Sequence, residues 1–464
     1  KRTMSLTSKG RIVFDYDMKI AEAFAKVDFD NQPDLMPAIE AMADIPVLIL
    51  RGARRLYAGA NGIAQAAACA RHRDSGCDRI ALVSGRHPHG KGTTMSNGIR
   101  IAAICGLALF ASLADAKGTL PDPRATALIQ ELGLESSPTA SRDLPGWQVP
   151  KRIVVDGADD ALLGQLRVVA PGAEIAAVGE GDARAKQLAD ADVVIGFCNA
   201  DTVNAAKSVR WFQSWYVGVE GCVTLPALAE RQILLTNMQR ASGIPIAEHA
   251  IALTLALSRG LPQFARHDKW TRDEHVTGAM RELTGRTMLV VGLGGIGTEV
   301  ARRAHGLGMR VVATRNSSRE GPDFVAKVGL PDELLALAAE ADVVVNCVPL
   351  TPATTGIFDA KFFATMKRGG YFVNIARGRS AVTDDLVAAL RSGQLGGAGL
   401  DVTEPEPLPD GHALWSLPNV IITPHVSGSS DQQDERSRLV VVENLRRYAA
   451  GEPLLNVVDI ARGY

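Results

Sequence analysis

Hydrophobic positions change character along the chain. From Lys151 onward, short apolar runs alternate with stretches of helical period. Arg152–Val155, Glu174–Val178, Asp192–Ile195, Val209–Ser214 and Ile233–Thr236 predict strands, and Ala161–Leu166 predicts a helix between the first two. Ile246–Leu257 is apolar nearly all round, which predicts a buried helix long enough to cross between two lobes. The alternation then resumes through Met288–Val291, Met309–Ala313, Val343–Val348, Tyr371–Ile375, Gly399–Val402 and Val420–Ile422. Glu435–Tyr448 predicts a closing helix. Strands that are apolar throughout and separated by helices imply parallel sheets covered on both faces. The expected class is α/β, with two doubly wound lobes. One is formed by 151–253 and 428–464; the other, 254–427, is inserted into it.

The first part of the chain follows no such pattern. Residues 1–94 hold a helix-like stretch, Ile20–Val27, and one apolar strand, Ile45–Leu50, ending at Arg51-Gly52-Ala53. That strand faintly resembles the late part of an α/β-hydrolase, but no aspartate follows Gly52 and the chain has no G-x-S-x-G elbow. Hydrolase chemistry is therefore set aside, and 1–94 is expected to be an unrelated N-terminal extension with little part in the chemistry. At 95–117, Arg100 precedes the apolar run Ile101–Leu113 and an Ala114-Asp115-Ala116 end, the parts of a secretory signal peptide. The alternative is a buried core helix. Five prolines between Gly118 and Pro150 make 118–150 read as a linker around one short helix, Arg124–Leu132.

The most informative stretch is Thr287–Ala304. A buried strand is followed by Gly292, Gly294 and Gly297 at G-x-G-x-x-G spacing, then by Ile296, Val300, Ala301 and Ala304 at helical intervals. Glycines here allow a tight turn, close approach of backbone N–H groups to a pyrophosphate, and tight helix–strand packing. The free N–H groups at the helix start attract phosphate. A bare glycine pattern is weak evidence, but this one sits between the right elements. Gly292, Gly294, Gly295, Ile296 and Gly297 are thus expected to bind a dinucleotide in a Rossmann-like lobe. The residue ending the next strand selects the nucleotide: an acidic side chain about twenty residues on would bond the ribose 2′-hydroxyl of NAD. This chain has Thr314-Arg315-Asn316-Ser317-Ser318-Arg319. Arg315 has no acceptor for a hydroxyl but can clamp a 2′-phosphate, with Asn316, Ser317 and Arg319 close by. NADP is expected, with NAD as the alternative.

Composition narrows the remaining choices. The 464 residues can bury sizeable cores, and the formal net charge of −1 supplies no field for nucleic acid. The six cysteines show no C-x-x-C or metal spacing and are expected to be free thiols in a reducing, cytoplasmic setting. Export is the alternative if translation begins at Met95. His87-Pro88-His89 alone does not make a metal site, so no metal, membrane or nucleic-acid partner is expected.

Three strand ends beyond the glycine loop carry ionisable residues: Asn374-Ile-Ala-Arg377-Gly378, Asp401-Val-Thr-Glu-Pro-Glu406-Pro407 and Thr423-Pro-His425. Singly, each has an ordinary surface role open to it. Together they offer a fixed cation, a carboxylate and an imidazole, which is what reduction of a 2-oxo acid requires. Arginine pairs bidentately with a carboxylate, while histidine passes a proton to the developing alkoxide. A carboxylate beside that histidine favours its protonated form.

With these motifs and Cys347-Val-Pro-Leu-Thr-Pro352, the chain from about Arg152 resembles the D-isomer-specific 2-hydroxyacid dehydrogenases. The resemblance implies that Arg377 binds the substrate carboxylate and carbonyl, that His425 is the acid/base, and that Glu406 is its partner. It implies that Asp401 holds the nicotinamide carboxamide, and that Val348, Pro349, Thr355, Ala376 and His425 line the cofactor site. Tyr216-Val-Gly218-Val219-Glu220 looks like the family's substrate loop, with Gly218 and Val219 offering backbone N–H groups. Arg315 is similar to the residue of NADP-preferring glyoxylate and hydroxypyruvate reductases. A homodimer formed through the cofactor lobe is implied as well. The rival function on the same fold is a nicotinamide-sensing, corepressor-like binding protein.

Overall fold

The computed structural model describes residues 120–464 and, before them, the backbone of four short strands. Those strands, β1 (Met4–Leu6), β2 (Ile12–Phe14), β3 (Val47–Arg51) and β4 (Arg54–Ala58), pair as two antiparallel hairpins, β1 with β2 and β3 with β4. The apolar run expected as a hydrolase-like strand is thus half of a hairpin, and its partner takes in Leu56–Ala58, where no strand was expected. Ile20–Val27 and the signal-like Met95–Ala116 lie outside the described residues, as do Cys69, Cys77, Cys105, His87 and His89.

Two parallel sheets dominate residues 120–464. The smaller contains β5 (Arg152–Val155), β6 (Glu174–Ala177), β7 (Val193–Gly196), β8 (Trp211–Ser214) and β9 (Leu234–Thr236), in the order β6-β5-β7-β8-β9. The larger contains β10 (Thr287–Val291), β11 (Arg310–Thr314), β12 (Lys327–Gly329), β13 (Val343–Asn346), β14 (Gly370–Asn374), β15 (Leu395–Leu400) and β16 (Val420–Ile422). Its order is β12-β11-β10-β13-β14-β15-β16, so the direction of winding reverses beside β10. Open sheets bind ligands outside the carboxyl ends of their strands at such a reversal. In β7, β8, β10, β13 and β14 every residue is buried, as expected for strands covered on both faces.

The crossing helix runs Gly243–Ser258 and belongs to the larger lobe. Ile246, Ala250, Leu253 and Leu257 join the core that contains Met288, Val290 and Val373. The chain therefore changes lobes before this helix rather than within it at 253. This packing also explains glycines in the middle of β15, where a Cβ on Gly399 would lie 2.9 Å from Leu253 Cβ. Gly there lets the helix backbone come close to the sheet.

The 118–150 segment differs from the expected linker. It carries a helix, Pro123–Leu132, capped by Asp122, and its Leu128 and Leu134 enter the smaller lobe's core with Ile153, Trp211 and Tyr448. The long helix Gln433–Ala450 returns to the same core through Val440, Val441 and Leu445. Prolines break periodicity without preventing burial, and the partners of this segment lie some 300 positions away, as in the Trp147 Nε1 bond to the Tyr448 carbonyl at 3.1 Å.

On the other face of the larger sheet, Phe358, Phe362, Phe363 and Phe372 form an aromatic cluster with centroid separations of 4.8–5.9 Å. Phe372 lies on β14, two residues before Asn374, so this cluster fixes the strand that presents Arg377. Phe372→Ala should lower stability by roughly 3–5 kcal/mol, read as a reduced denaturant midpoint with an unchanged slope.

Candidate active site

The two sheets end on one cleft of about 1910 Å³. One wall is the turn after β10. Gly292 there has φ +98°, and a Cβ on Gly297 would lie 2.0 Å from the Gly292 carbonyl oxygen, so helix Gly295–Gly306 can close on the strand only without side chains. Gly292, Gly294, Gly295 and Ile296 line the cleft, and Gly297 sits behind them in the packing. The helix begins at Gly295 with no side-chain cap, which leaves its first N–H groups for an anion. A dinucleotide fits this cradle on geometry alone.

Beside it, β11 ends at Thr314, and Arg315, Asn316 and Ser317 line the same wall. The Arg315 guanidinium donates to the Glu320 carbonyl at 3.2 Å and, among the described residues, pairs with no carboxylate. Arg319 differs, being held by Glu333. Val348, Pro349 and Ala376 line the cleft as expected. Thr355 does not; its hydroxyl turns to the Thr351 carbonyl at 2.8 Å.

The ends of β13 and β14 are locked by a buried amide network. Asn346 Nδ2 donates to Asn374 Oδ1 at 2.9 Å and to Ser380 Oγ at 2.6 Å. Asn374 Nδ2 and Ser380 Oγ both donate to the Arg377 carbonyl, at 3.0 and 2.6 Å. Each side chain has a partner, so the network is rigid rather than costly. It sets the direction in which Arg377 leaves the strand end. The Arg377 guanidinium reaches the cleft, where its Nη1 donates to the Ala376 carbonyl at 2.6 Å and its Nε and Nη2 face the Glu220 carboxylate.

His425 lines the same cleft, after β16 of the same sheet. Its Nδ1 is 2.7 Å from Glu406 Oε1. A carboxylate only accepts, so Nδ1 carries the hydrogen of this bond and Nε2 is left for a substrate oxygen. His425 has φ +54°, unusual for a residue with a side chain. Asp401 sustains that turn, with its backbone carbonyl accepting the His425 N–H at 2.8 Å. Its carboxylate accepts from Thr423 Oγ1 at 2.7 Å and from the Val426 and Ser427 N–H groups at 3.0 Å. The carboxylate is buried and so engaged that it does not line the cleft. The expected contact to a nicotinamide carboxamide is not where the structure places Asp401. Burial opposes its ionisation, but the donors from Ser427, Thr423 and Val426 outweigh this and hold its carboxyl below the usual range.

Gly218 and Val219 line the substrate end of the cleft, and among the described residues their backbone N–H groups make no hydrogen bond within the chain. Phe197 and Tyr216 pair above them with centroids 5.1 Å apart. Trp211 and Phe212, by contrast, are fully buried core. The structure departs from the expected free thiols at Cys198 and Cys222, which form a disulfide across a Cα–Cα distance of 5.4 Å. Their separation of 24 positions matches no motif; the fold alone brings the end of β7 to the substrate loop. Cys347 is free, and burial pushes its thiol well above the ordinary range. Among the described residues there is no cluster of three or more metal-ligating side chains, and no helix is long and apolar enough to cross a membrane.

This is an arginine and a carboxylate-backed histidine at strand ends of one sheet, both lining a dinucleotide cleft. The family model described as D-isomer specific 2-hydroxyacid dehydrogenase, NAD binding domain, matches residues 251–427. A glyoxylate reductase of Korarchaeum cryptofilum is 32% identical over 283 residues, 59% of this chain and 84% of that enzyme. The chain belongs to the D-isomer-specific 2-hydroxyacid dehydrogenases. This dehydrogenase is also similar in structure to the NADPH-dependent glyoxylate/hydroxypyruvate reductase of Sinorhizobium meliloti, solved with NADP and sulfate. The two share 29% identity and a TM-score of 0.58, over 68% of this chain and 100% of that one. A D-3-phosphoglycerate dehydrogenase of Archaeoglobus fulgidus is 34% identical over 267 residues, and the chain spans about half its length (49%). The activity is that of an oxidoreductase using NAD(P), and the fold is the pair of Rossmann-like lobes expected from the strand pattern.

The Asp401 geometry makes a prediction. Asp401→Ala should cost on the order of 2–4 kcal/mol through orphaned donors and lower kcat by about 10²-fold as His425 loses its position. Because the folded Asp401 value is depressed, its contribution is full above ~pH 4 and is lost as pH falls through the lower folded value. Thermal midpoints against pH should show a shallower acid limb in the variant than in the wild type.

Proposed function

We propose that this dehydrogenase reduces a small 2-oxo acid of the glyoxylate or hydroxypyruvate type, with NADPH preferred to NADH. Arg377 is the observation that carries the reading. A partly buried guanidinium with two N–H groups turned to a carboxylate is suited to grip the acid end of such a substrate. The free N–H groups of Gly218 and Val219 would share that charge. Arg377 would also polarise the adjacent carbonyl, and His425 Nε2 would give the proton to the forming alkoxide while Glu406 stabilises the imidazolium. NADP(H), when bound, supplies the hydride. Closure of the lobes would exclude water and strengthen each of these contacts.

Arg315 supports the nucleotide preference, since it ends the second strand with no carboxylate partner among the described residues and with Asn316 and Ser317 beside it. The reductase of Sinorhizobium meliloti, named NADPH-dependent, makes the same choice. The presence of Arg377, Glu406 and His425 together favours turnover over the corepressor-like alternative. A homodimer through the cofactor lobe is part of the proposal. Leu255, Leu261 and Trp270 are exposed apolar side chains in that part of the chain, which a second copy would cover.

Nicotinamide absorbance with glyoxylate and hydroxypyruvate tests the reading. His425→Ala should reduce kcat by about 10²-fold or more, and Arg377→Ala should cost ~3 kcal/mol or more in kcat/KM. Wild-type turnover in both variants would remove the assignment. Arg315→Ala should raise KM for NADPH by about 10-fold or more while changing KM for NADH little. A strong NADH preference in the wild type would refute the NADPH proposal.

A further inference from the structure

Glu220 takes a place in the cleft that the substrate loop's backbone does not explain. It opens the short helix Glu220–Val223 directly after Gly218 and Val219. Its Oε1 accepts from Arg377 Nε, and its Oε2 lies 3.4 Å from Nη2. Two carboxylate oxygens thus face two guanidinium N–H groups, the fork that a substrate carboxylate would use. The third edge of the guanidinium is taken by the Ala376 carbonyl at 2.6 Å. The remaining side is closed by the loop itself, since a Cβ on Gly218 would fall 1.5 Å from Nη2. The guanidinium therefore rests directly on the Gly218 backbone and has little freedom to offer a second carboxylate another face.

One cation cannot serve two anions equally. With Glu220 in place, an incoming carboxylate would meet a neutralised guanidinium and a like charge beside it. Burial disfavours a charged Glu220, yet the Arg377 guanidinium outweighs this and keeps the carboxyl below its usual range, so protonation does not relieve the conflict near neutral pH. Rotation of the side chain can relieve it. The Glu220 side chain is 34% exposed and Arg377 27%, so the pair sits at the edge of solvent rather than in a sealed core.

We propose that Glu220 is a built-in competitor of the substrate. In the free enzyme it fills the carboxylate seat on Arg377, and it must swing out when a 2-oxo acid binds, thereby raising KM for anionic substrates. The cost is met at binding, and the benefit is an arginine that stays oriented between turnovers. This inference rests on the proposed role of Arg377 as the substrate's carboxylate anchor.

The test uses NADPH-loaded wild type, Glu220→Gln and Glu220→Asp, with oxamate as a non-reducible 2-oxo acid analogue and glyoxylate as substrate. Glutamine keeps the shape without the charge; aspartate keeps the charge but shortens the reach. Calorimetry should show oxamate binding about five- to tenfold more tightly to Glu220→Gln, the scale of a partly exposed ion pair. Binding to Glu220→Asp should also be tighter, by a smaller factor. KM for glyoxylate should fall in parallel, with the gain in KM rather than in kcat. Equal or weaker oxamate binding in both variants, or a raised KM, would overturn the proposal and make Glu220 a positioning residue for Arg377. Failure of the wild type to turn over any 2-oxo acid, or oxamate affinity unaltered by Arg377→Ala, would instead count against the anchor role itself.

Discussion

The chemistry of this cleft depends on one guanidinium held in a fixed place between two sheets. An exposed arginine is worth little as an anchor, because water and salt screen it and its long side chain must be ordered at each encounter. Here the ordering is done in advance. The Asn346–Asn374–Ser380 amides hold the backbone carbonyl from which Arg377 departs, the Ala376 carbonyl takes one edge of the guanidinium, and Gly218 of the other lobe lies against its face. A cation placed in this way costs no reorganisation when charge develops on a bound carbonyl. The histidine of the same cleft is placed by the same economy of means. A buried aspartate carries the strain of its turn, and Glu406 fixes the ring nitrogen that faces outward.

The fold makes this arrangement cheap to build. Parallel strands bring their carboxyl ends to one edge, so residues distant in sequence meet without any loop reaching far. Arg377 follows β14, Asp401 follows β15, and His425 follows β16, three neighbours in one sheet. The substrate loop follows β8 in the other sheet, and the crossing helix packs so closely on β15 that glycine is needed there. Lobe placement and catalytic geometry are thus two consequences of the same packing.

Strand identity, the glycine turn and the placing of Arg377 and His425 beside one cleft are legible because each rests on local signals: apolar runs, fixed spacing, and ionisable residues soon after strands. What was not legible depends on distant partners. The 118–150 segment reads as a linker until its leucines are seen beside Tyr448. Lys327–Gly329 is too short to announce itself as a strand and exists by pairing with β11. The helix Gly181–Ala189 buries little apolar surface and has a correspondingly weak pattern. The family resemblance implies a cofactor role for Asp401, whereas here its carboxylate is engaged by the next turn. Thr355 was assigned to the cofactor wall and instead closes a turn with Thr351. Cys198 and Cys222 carry no motif, and Glu220 was visible only as part of a loop valued for its backbone.

If Arg377 and His425 pin a keto acid at both ends, the bound substrate can present only one face to the nucleotide side of the cleft. The most direct measurement is therefore the chirality of glycerate formed from hydroxypyruvate and NADPH, resolved on a chiral column. This two-point hold predicts a single enantiomer, and the D-isomer specificity of the family makes it D-glycerate. Racemic product would contradict this, because the keto group would then not be held by both side chains, and pure L-glycerate would contradict it by showing the opposite face presented to the nucleotide.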